Sequence, residues 1–395
     1  MISEAIDEIG IKFQTHKLFP FKIGDSKPMT ELESIVVTIN GTGWGQATMA
    51  NVWARMDLDG MKNIAFAIKR LLLGISFSHP LALWHAVCDE LFSWANERVT
   101  REGVQVVFSA FDAAIWDFYS REIGIHPCQA LSPELLGDEL LEFYGGQGFE
   151  KVLLPEPREE LELIYTHGAD GELFPAADNS GGLTSFLERE RRKTVKVKCT
   201  GDVGTDFREL CAVSHIIDRD CRIWLDYNGS AKAVSDVVKL INTIVEFAPK
   251  VSAAVMAIEQ PMPPAKTFLS NDVFEISQKG FLVFLDESAL GPESIAPAKA
   301  LGYAGVVGKT GKGFSAMLEM AREAAIQSFL FSMQDLTNIG CSFWQSMGAA
   351  AYIKNLFLGL VEGNQSQFLM QPDPIVSVDK GYIKTGHLIG PGWCS

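Results

Sequence analysis

The segment KTVKVKCT at residues 193–200 is the first of five apolar runs that carry charged residues at their ends. It contributes Lys196 and Lys198, and the next four runs end, at steps of 28, 33, 27 and 23 residues from Lys198, in Asp226, Glu259, Asp286 and Lys309. Each step is long enough for a strand, a helix and two turns. A charged residue that ends a buried strand is costly unless several such residues share a task. The series therefore predicts strand–helix units whose strand ends converge on one site.

The chain after about residue 140 alternates between apolar strands and amphipathic helices. One clear helix covers residues 231–247, where six apolar side chains share a face and Pro249 follows. Continuous apolar strands between helices predict a parallel sheet covered by helices. Eight strands suit a closed α/β barrel, and an open doubly wound sheet remains the alternative. The expected strands are residues 142–146, 193–199, 221–228, 251–260, 281–287, 304–309, 329–334 and 368–371.

The N-terminal third of the chain follows a different order. SIVVTINGTGWGQA, at residues 34–47, predicts a strand, a glycine-rich turn and a second strand. Three helical segments follow at residues 63–75, 79–95 and 108–124. Strands followed by helices, without alternation, predict a separate α+β domain.

One segment, residues 154–193, does not fit the strand–helix alternation. It contains the acidic stretch PEPREELEL, the stretch GADGELFPAADNSGG and the charged run ERERRK. We expect it to be a long insertion between the first and second barrel strands. Such insertions are functional lids or mobile decorations, and the sequence does not distinguish the two.

The composition disfavours several classes of function. The 395 residues hold 34 Lys and Arg against 49 Asp and Glu, a net charge of −15, which argues against a nucleic-acid partner. No uninterrupted run of 18 apolar residues occurs, so we expect no membrane span. The seven cysteines form no C-x-x-C pair, which favours reduced thiols in a cytoplasmic protein. The acidic start MISEAIDEIGIKF lacks the apolar core of an export signal.

Three of the charged strand ends are carboxylates. Asp226, Glu259 and Asp286 would converge at the mouth of a barrel, where their mutual repulsion requires a cation. Oxygen ligands without Cys or His favour a hard ion, Mg²⁺ first and Mn²⁺ second. Glu287 would face away from this site if its strand stays regular. For the sequence D-Y-N at residues 226–228, a turn that simply ends the strand is the alternative.

The lysines supply the opposite charge. Lys196 and Lys198 point to the same side of their strand, because side chains alternate. Lys198 and Lys309 would face each other across the metal, and a nearby divalent cation would lower their pKa values. Lysines with a lowered pKa act as bases near neutral pH, here one on each face of a carbon. A half-exposed strand for the K-x-K pair, and an ordinary loop for Lys309, remain alternatives.

The ordered set of residues resembles the enolase superfamily over nearly the whole chain. It is most similar to the mandelate racemase/muconate lactonising enzyme family, in its muconate-lactonising-enzyme-like branch. The turn GTGWGQA, the helix FSAFDAAIWD and the tail VDKGYIKTGHLIGPGW resemble the family's N-terminal and C-terminal parts. The resemblance implies an α+β capping domain at residues 1–135 and a (β/α)7β TIM-like barrel at residues 136–374. It also implies a tail at residues 375–395 that returns to the capping domain.

The resemblance also implies a reaction. Mg²⁺ would stabilise an enediolate, formed when the proton α to a substrate carboxylate leaves. The outcome would be racemisation or epimerisation, cycloisomerisation or β-elimination, so the expected enzyme is an isomerase or a lyase. The implied roles are metal binding by Asp226, Glu259 and Asp286, proton transfer by Lys198 and Lys309, and neutralisation of the substrate carboxylate by Lys196.

The chain departs from the family pattern at several positions. No histidine lies near the end of the expected seventh strand, FSMQDLTN, which disfavours mandelate racemases and most sugar-acid dehydratases. Gln46 stands where the family turn has Glu, and the expected eighth strand, FLMQPDP, has only Asp373 and no D-x-D. These departures leave the identity of the acid open.

The expected partner is a small carboxylic acid. We expect Asn228, Gln334 and Asp335 to contact it. Residues 18–29 (LFPFKIGDSKPM) are a candidate lid that carries Lys22 and Lys27, and an ordinary surface loop is the alternative. Members of the family commonly form oligomers, so the resemblance implies a homo-oligomer.

Other functions remain open at this stage. A barrel that has lost catalysis would bind a metal or a ligand only, and the long insertion and Gln46 motivate that alternative. A Schiff-base aldolase would use one lysine as a nucleophile, although it needs no set of three carboxylates.

Overall fold

The chain folds into a closed parallel barrel and a smaller antiparallel sheet domain. The structure is a computed structural model that describes residues 4–21, 29–50, 56–96, 99–168, 190–218, 220–269, 272–370, 378–388 and 390–393. Eight parallel strands follow one another around the barrel in chain order, and the last pairs with the first. This arrangement confirms the predicted barrel with an α+β capping domain and excludes the doubly wound sheet.

The N-terminal domain combines a three-stranded sheet with helices. Its strands are β1 (Glu4–Ala5), β2 (Ile9–Phe21), β3 (Met29–Ile39), β4 (Gly43–Thr48) and β5 (Ser76–Phe77), of which β2, β3 and β4 form the sheet and β1 pairs with β5. Its helices are α1 (Leu58–Leu72), α2 (Pro80–Ser93) and α3 (Arg101–Ile123), and α4 (Pro133–Phe143) leads to the barrel.

Helix α3 joins the capping sheet to the barrel. Its first turn is capped by the Thr100 hydroxyl, which accepts from the Gly103 N–H at 3.0 Å. It is buried on nearly every side, because the sheet packs on one face and the barrel on the other. A Cβ atom on Gly45 would lie 2.0 Å from the Ala110 carbonyl oxygen. The GTGWG turn therefore needs glycine there for close contact with the helix.

The barrel strands are short and follow the expected spacing. They are β6 (Glu160–His167), β7 (Thr194–Lys198), β8 (Arg222–Asp226), β9 (Val255–Glu259), β10 (Leu282–Leu285), β11 (Gly305–Gly308), β12 (Leu330–Met333) and β13 (Leu356–Glu362). The helices around them are α5 (Val203–Ile216), α6 (Val234–Phe247), α7 (Pro249–Ala254), α8 (Pro264–Thr267), α9 (Phe274–Gln278), α10 (Ile295–Ala300), α11 (Phe314–Ile326), α12 (Cys341–Tyr352) and α13 (Gln365–Phe368). Turns of 3₁₀ helix cover Gln129–Leu131, Pro292–Ser294 and Thr310–Lys312.

Two predicted barrel strands were wrong. Residues 142–146, expected as the first strand, cover the end of helix α4 and the turn after it, and the first strand is β6, inside the expected insertion. Residues 368–371, expected as the eighth strand, begin at the end of helix α13, and the eighth strand is β13. What remains of the insertion between the first and second strands is residues 168–193, of which 169–189 lie outside the described residues.

A layer of aromatic rings fills the barrel below the site. The ring centroids of Trp224 and Phe284 lie 4.8 Å apart, and those of Phe284 and Phe357 lie 5.3 Å apart. Asp226 follows Trp224 by two residues on β8, so side-chain alternation directs it toward the barrel axis as well, and Asp286 lies just after the end of β10. The same alternation that builds this apolar floor therefore places charged groups at the mouth.

The C-terminal tail contacts both parts of the molecule. Strands β14 (Val378–Asp379) and β15 (Tyr382–Lys384) pair with each other, and β15 runs antiparallel to β6. Further on, the Trp393 N–H donates to Asp117 on α3 at 2.5 Å. The tail thus lies on the first barrel strand before it reaches the N-terminal domain. The boundaries at residues 135 and 374 stay predictions.

The cysteines and the helices bear on two further expectations. Among the described residues, five cysteines are free thiols: Cys88, Cys128, Cys199, Cys211 and Cys221. Cys341 is disulfide-bonded, so the expectation that all seven thiols are reduced was wrong at that residue. Within the described ranges, no helix is long and apolar enough to cross a membrane.

Candidate active site

The pairing of the strands places three carboxylates side by side. Lys198 on β7 pairs with Asp226 on β8, and Asp226 pairs with Glu259 on β9. Phe284 on β10 also pairs with Glu259, and Asp286 follows Phe284 by two residues. Because neighbouring strands lie about 4.8 Å apart, the three carboxylates form a row across adjacent strand ends.

Lys196 is the centre of the buried charges. Its ammonium nitrogen lies 3.2 Å from Glu259, 3.0 Å from Glu362 and 3.6 Å from Asp226, and it also donates to the Gln334 side-chain oxygen. Only 1% of the Lys196 side chain is exposed. Burial alone would lower the pKa of Lys196, but the surrounding carboxylates, Glu259 first, raise it well above its ordinary value. Lys196 is therefore a fixed cation beneath the mouth.

Glu362, at the end of β13, is a site residue that the sequence analysis missed. One carboxylate oxygen accepts from Lys196, and the other accepts from the Thr166 hydroxyl and from Asn364. Burial would raise the pKa of Glu362, but Lys196 lowers it to about 2. Burial raises the pKa of Glu259, the other carboxylate that contacts Lys196. The signal was present, because LFLGLVE is one more apolar run that ends in a carboxylate.

Lys198 lies at the rim of the mouth, above Lys196. Its ammonium nitrogen is 2.5 Å from Asp226 Oδ2 and 2.9 Å from Asn228 Oδ1. The other oxygen of Asp226 accepts from the Asn228 backbone N–H at 2.9 Å. Burial would raise the pKa of Asp226, but Lys198 and Lys196 lower it. The structure thus brings the predicted K-x-K and D-x-N residues together.

Lys309 holds the far end of the carboxylate row. Its ammonium nitrogen lies 2.6 Å from Asp286 Oδ2. Lys312, which the sequence analysis did not single out, lies 4.0 Å from the other oxygen, Asp286 Oδ1. Burial would lower the pKa of Lys309, but Asp286 raises it. A divalent cation on the same carboxylates would act in the opposite direction, which is the effect expected from the sequence.

Glu287 does not face away from the site, as the regular-strand assumption predicted. Strand β10 ends at Leu285, so alternation no longer applies at Glu287. One of its carboxylate oxygens accepts from Asn228 Nδ2 at 2.8 Å. The Gln260 side chain holds this turn, because its oxygen accepts from the backbone N–H groups of Asp286 and Ser288. Glu287 is therefore a fourth carboxylate beside the row.

The two residues that end the seventh strand have different surroundings. Gln334 is fully buried and donates to Glu259 at 2.7 Å, in addition to its contact with Lys196. The Asp335 carboxylate accepts from the backbone N–H groups of Asn338 and Asn364. Gln334 thus belongs to the charge cluster, and Asp335 fixes the loops after β12 and β13. Their predicted contact with a substrate stays a prediction.

Gln46 and the candidate lid lie on the capping side. The Gln46 side chain accepts from the Cys341 backbone N–H at 3.0 Å and donates to the Ser34 hydroxyl at 3.1 Å. It therefore ties the capping sheet to the start of helix α12. Of the candidate lid, residues 18–21 belong to β2, and residues 22–28, with Lys22 and Lys27, lie outside the described residues.

The donor types fit a hard divalent cation. Three carboxylates end neighbouring strands, and Asp286 Oδ1 and Glu287 Oε2 are buried without a hydrogen-bond partner among the described residues. Within those same residues, however, no three His, Cys, Asp or Glu side chains stand at metal-binding spacing. Lysine ammonium groups contact all three carboxylates of the row. An ion bound by the row would have to displace these lysine contacts. The site therefore fits a divalent cation in the type and the position of its residues.

The comparisons with known proteins match the chain by structure and not by sequence. No protein-family model matches it, and no curated protein matches it. A dipeptide epimerase from Enterococcus faecalis, solved with Mg and the dipeptide L-Leu-L-Tyr, is 15% identical, with a TM-score of 0.75 and coverage of 99% of each chain. An N-succinyl Arg/Lys racemase from Bacillus cereus is 15% identical, with a TM-score of 0.76 over 99% of this chain and 95% of the other.

A third match adds a different reaction on the same fold. The 2-chloromuconate cycloisomerase from Rhodococcus opacus is 16% identical, with a TM-score of 0.73 over 98% of this chain and 96% of the other. Matches at this identity show the fold, and they cover both the barrel and the capping domain. The resemblance predicted from the ordered charges is therefore confirmed for the fold over nearly the full length.

Proposed function

We propose that the protein is a Mg²⁺-dependent isomerase that removes and returns the proton α to the carboxylate of a small acid. One observation carries the proposal. Lys198 ends β7 and Lys309 follows β11, which are four strands apart in a closed ring of eight. The two ammonium groups therefore approach the mouth from opposite sides. The three carboxylates end β8, β9 and β10, the strands between them.

The residues at the mouth divide into groups with separate tasks. Asp226, Glu259 and Asp286 would hold Mg²⁺. When bound, the ion would stabilise the negative charge that develops on the substrate carboxylate as the proton leaves. Lys196 is held as a cation by Glu362, so it supplies a fixed positive charge below the substrate carboxylate.

Lys198 and Lys309 would carry the proton on the two faces of the α-carbon. Each is ion-paired with a carboxylate of the row, and Asp286 raises the pKa of Lys309. A base needs the unprotonated amine, so Lys309 must separate from Asp286 before it accepts a proton. The lysine on the other face returns a proton, and the configuration at carbon is then inverted.

The fold matches support the class of substrate. They act, by name, on dipeptides, N-succinyl arginine and lysine, and 2-chloromuconate, all of which carry carboxylates. We propose a small carboxylic acid for this chain as well. Racemisation or epimerisation, cycloisomerisation and β-elimination would share one proton transfer, at the carbon α to the carboxylate, so the test must follow that proton.

The test is exchange of the α-proton for solvent deuterium in a panel of N-acyl amino acids, dipeptides and hydroxy acids, followed by NMR. We expect exchange with Mg²⁺ and none with EDTA. We expect Lys198→Ala and Lys309→Ala to lose at least about 100-fold in rate, a typical contribution of general acid–base catalysis. Each variant should lose exchange for a different enantiomer, because each lysine serves one face.

Lys12→Ala is the matched control, because Lys12 is exposed on β2 in the capping sheet. It should exchange the proton at the wild-type rate. Folded wild-type protein that exchanges no acid of the panel would contradict the proposal. So would Lys198→Ala and Lys309→Ala variants that retain the wild-type rate.

A further inference from the structure

A charged cleft of about 430 Å³ lies beside the start of β7, at the opposite end of that strand from Lys198. Four cationic side chains, two carboxylates and one phenol line it. Lys193, one of the cations, precedes Lys198 by five residues, so the two Cα atoms lie about 16 Å apart at the rise of a β-strand. The cleft is therefore separate from the site at the barrel mouth.

The tail strand builds this cleft. On one edge of β6, Ile164 pairs with Thr194 of β7, whereas Glu160 pairs with Lys384 of β15. The tail thus occupies the part of the edge that lies before β7 begins. A Cβ on Gly381 would lie 2.9 Å from the Arg191 carbonyl oxygen. This close approach presses the tail turn onto the segment that leads into β7.

The charges in the cleft do not cancel. Lys384 is paired with Glu160. The side chains of Arg191, Lys193 and Lys380 have no hydrogen-bond or ion-pair partner among the residues that the structure describes, and Asp379 is the remaining carboxylate that lines the cleft. Three unpaired cations against one carboxylate leave a local charge of +2, on a chain whose net charge is −15.

The backbone holds two of these cations in an unusual conformation. Arg191 has a φ of 52° and Lys380 a φ of 50°. This left-handed region favours glycine and costs other residues about 1 kcal/mol or more. Two turns that glycine would form at lower cost instead carry long cationic side chains, one on each side of the cleft. At Lys380 this conformation belongs to the two-residue turn between β14 and β15, and it directs the side chain into the cleft lining.

We propose that the cleft binds a phosphate-type dianion, either inorganic phosphate or the phosphate group of a small phosphorylated molecule. The local charge of +2 balances a dianion. The planar guanidinium of Arg191 can donate two parallel hydrogen bonds to phosphate oxygens, and the ammonium groups of Lys193 and Lys380 add point charges. The bound anion would join the tail turn to the segment before β7.

The test is a titration of the full-length protein with inorganic phosphate and with glycerol 3-phosphate at constant ionic strength. Binding is followed by calorimetry and by the thermal midpoint. We expect a saturable rise in the midpoint of about 2 °C or more at saturation, because a ligand of the native state stabilises it. A much larger rise in the midpoint with glycerol 3-phosphate would assign the site to phosphorylated molecules. Equal rises with the two compounds would assign it to inorganic phosphate.

The variants make the proposal specific. Arg191→Glu and Lys380→Glu should each weaken phosphate binding at least about tenfold, the effect expected when a charge-assisted contact is lost. Lys12→Glu makes the same charge change on the distant capping sheet and should bind phosphate as the wild type does. Deuterium exchange at the barrel mouth should continue in all three variants. Equal stabilisation by sodium chloride, or wild-type affinity in Arg191→Glu and Lys380→Glu, would overturn the proposal.

Discussion

The mouth of the barrel holds many more charged side chains than a single ion pair. Within the part of the chain that the structure describes, five carboxylates and four lysines meet there: Asp226, Glu259, Asp286, Glu287, Glu362, Lys196, Lys198, Lys309 and Lys312. Glu287 lies beside the row of Asp226, Glu259 and Asp286. One of its carboxylate oxygens is buried without a hydrogen-bond partner among the described residues. An unpartnered carboxylate oxygen beside the row adds negative potential to any cation held there.

The first prediction concerns Glu287. Glu287→Gln keeps the hydrogen bond from Asn228 and removes one negative charge. We expect Mg²⁺ to bind about tenfold more weakly, the lower end of the effect of groups that surround metal ligands. Titration of Mn²⁺, followed by its electron paramagnetic resonance signal, measures this without any substrate. Glu275→Gln, on the exposed face of α9, is the control, and equal Mn²⁺ affinity in both variants would refute the role of Glu287.

Single residues were predictable where a strand stayed regular to its end. Asp226 and Glu259 are the last residues of their strands, so the apolar run marked them. Glu362 also ends an apolar run and a strand, but β13 does not alternate regularly up to it. Leu358 and Gly359 both have positive φ angles, and the pairing with β12 shifts register there. A bulge of this kind breaks the two-residue period on which the prediction depends.

At the scale of elements, helix α2 begins with an unusual cap. The Leu81 N–H donates to His79 Nδ1 at 3.2 Å, and His79 Nε2 lies 3.1 Å from the Ala130 carbonyl oxygen. These contacts require a neutral ring with its proton on Nε2. Burial lowers the pKa of His79 from 6.5 to about 4. Between these pH values the unfolded chain binds a proton on this ring and the folded protein does not.

The second prediction follows from that shift. The unfolded chain takes up a proton on His79 near pH 6.5 and the folded chain only near pH 4. The contribution of His79 to stability is therefore complete above pH 6.5 and is lost as the pH falls toward 4, by up to about 3 kcal/mol. His79→Asn retains a capping side chain and should flatten this loss. Urea unfolding from pH 7 to pH 5 measures it, and identical slopes in both proteins would refute the assignment.

Elements were predictable where one period dominated the segment. Residues 231–247 have six apolar residues on one face, and α6 covers Val234–Phe247. Strand β6 was missed because its first half alternates Glu and Leu beside two prolines, which looked like part of an insertion. Its identity depends on pairing with β13 and β7, partners that are distant in sequence. Local patterns do not contain that information.

At the scale of the whole molecule, Trp393 holds the tail against both domains. Its ring lies 4.9 Å from Phe314 of the barrel helix α11 and 5.2 Å from His126. Trp393 is 3% exposed. Trp393→Ala should cost about 3–5 kcal/mol, as for other buried aromatic residues, and lower the thermal midpoint by several degrees. Trp44→Ala, at a side chain that is 48% exposed, should cost much less, and equal midpoints for the two variants would contradict this account.

The pairing of the last barrel strand with the first has a consequence for synthesis of the chain. Leu360 and Glu162, which pair across β13 and β6, are separated by almost 200 residues, and the tail that covers β6 follows later still. During translation, β7 follows β6 after a short segment, but β13 and the tail strand β15 leave the ribosome only much later. Until then, the backbone N–H and C=O groups on the edge of β6 that pairs with β13 have no strand partner. A chaperone or a transient partner would therefore cover this edge, and a ribosome that stalls before β13 would leave it exposed.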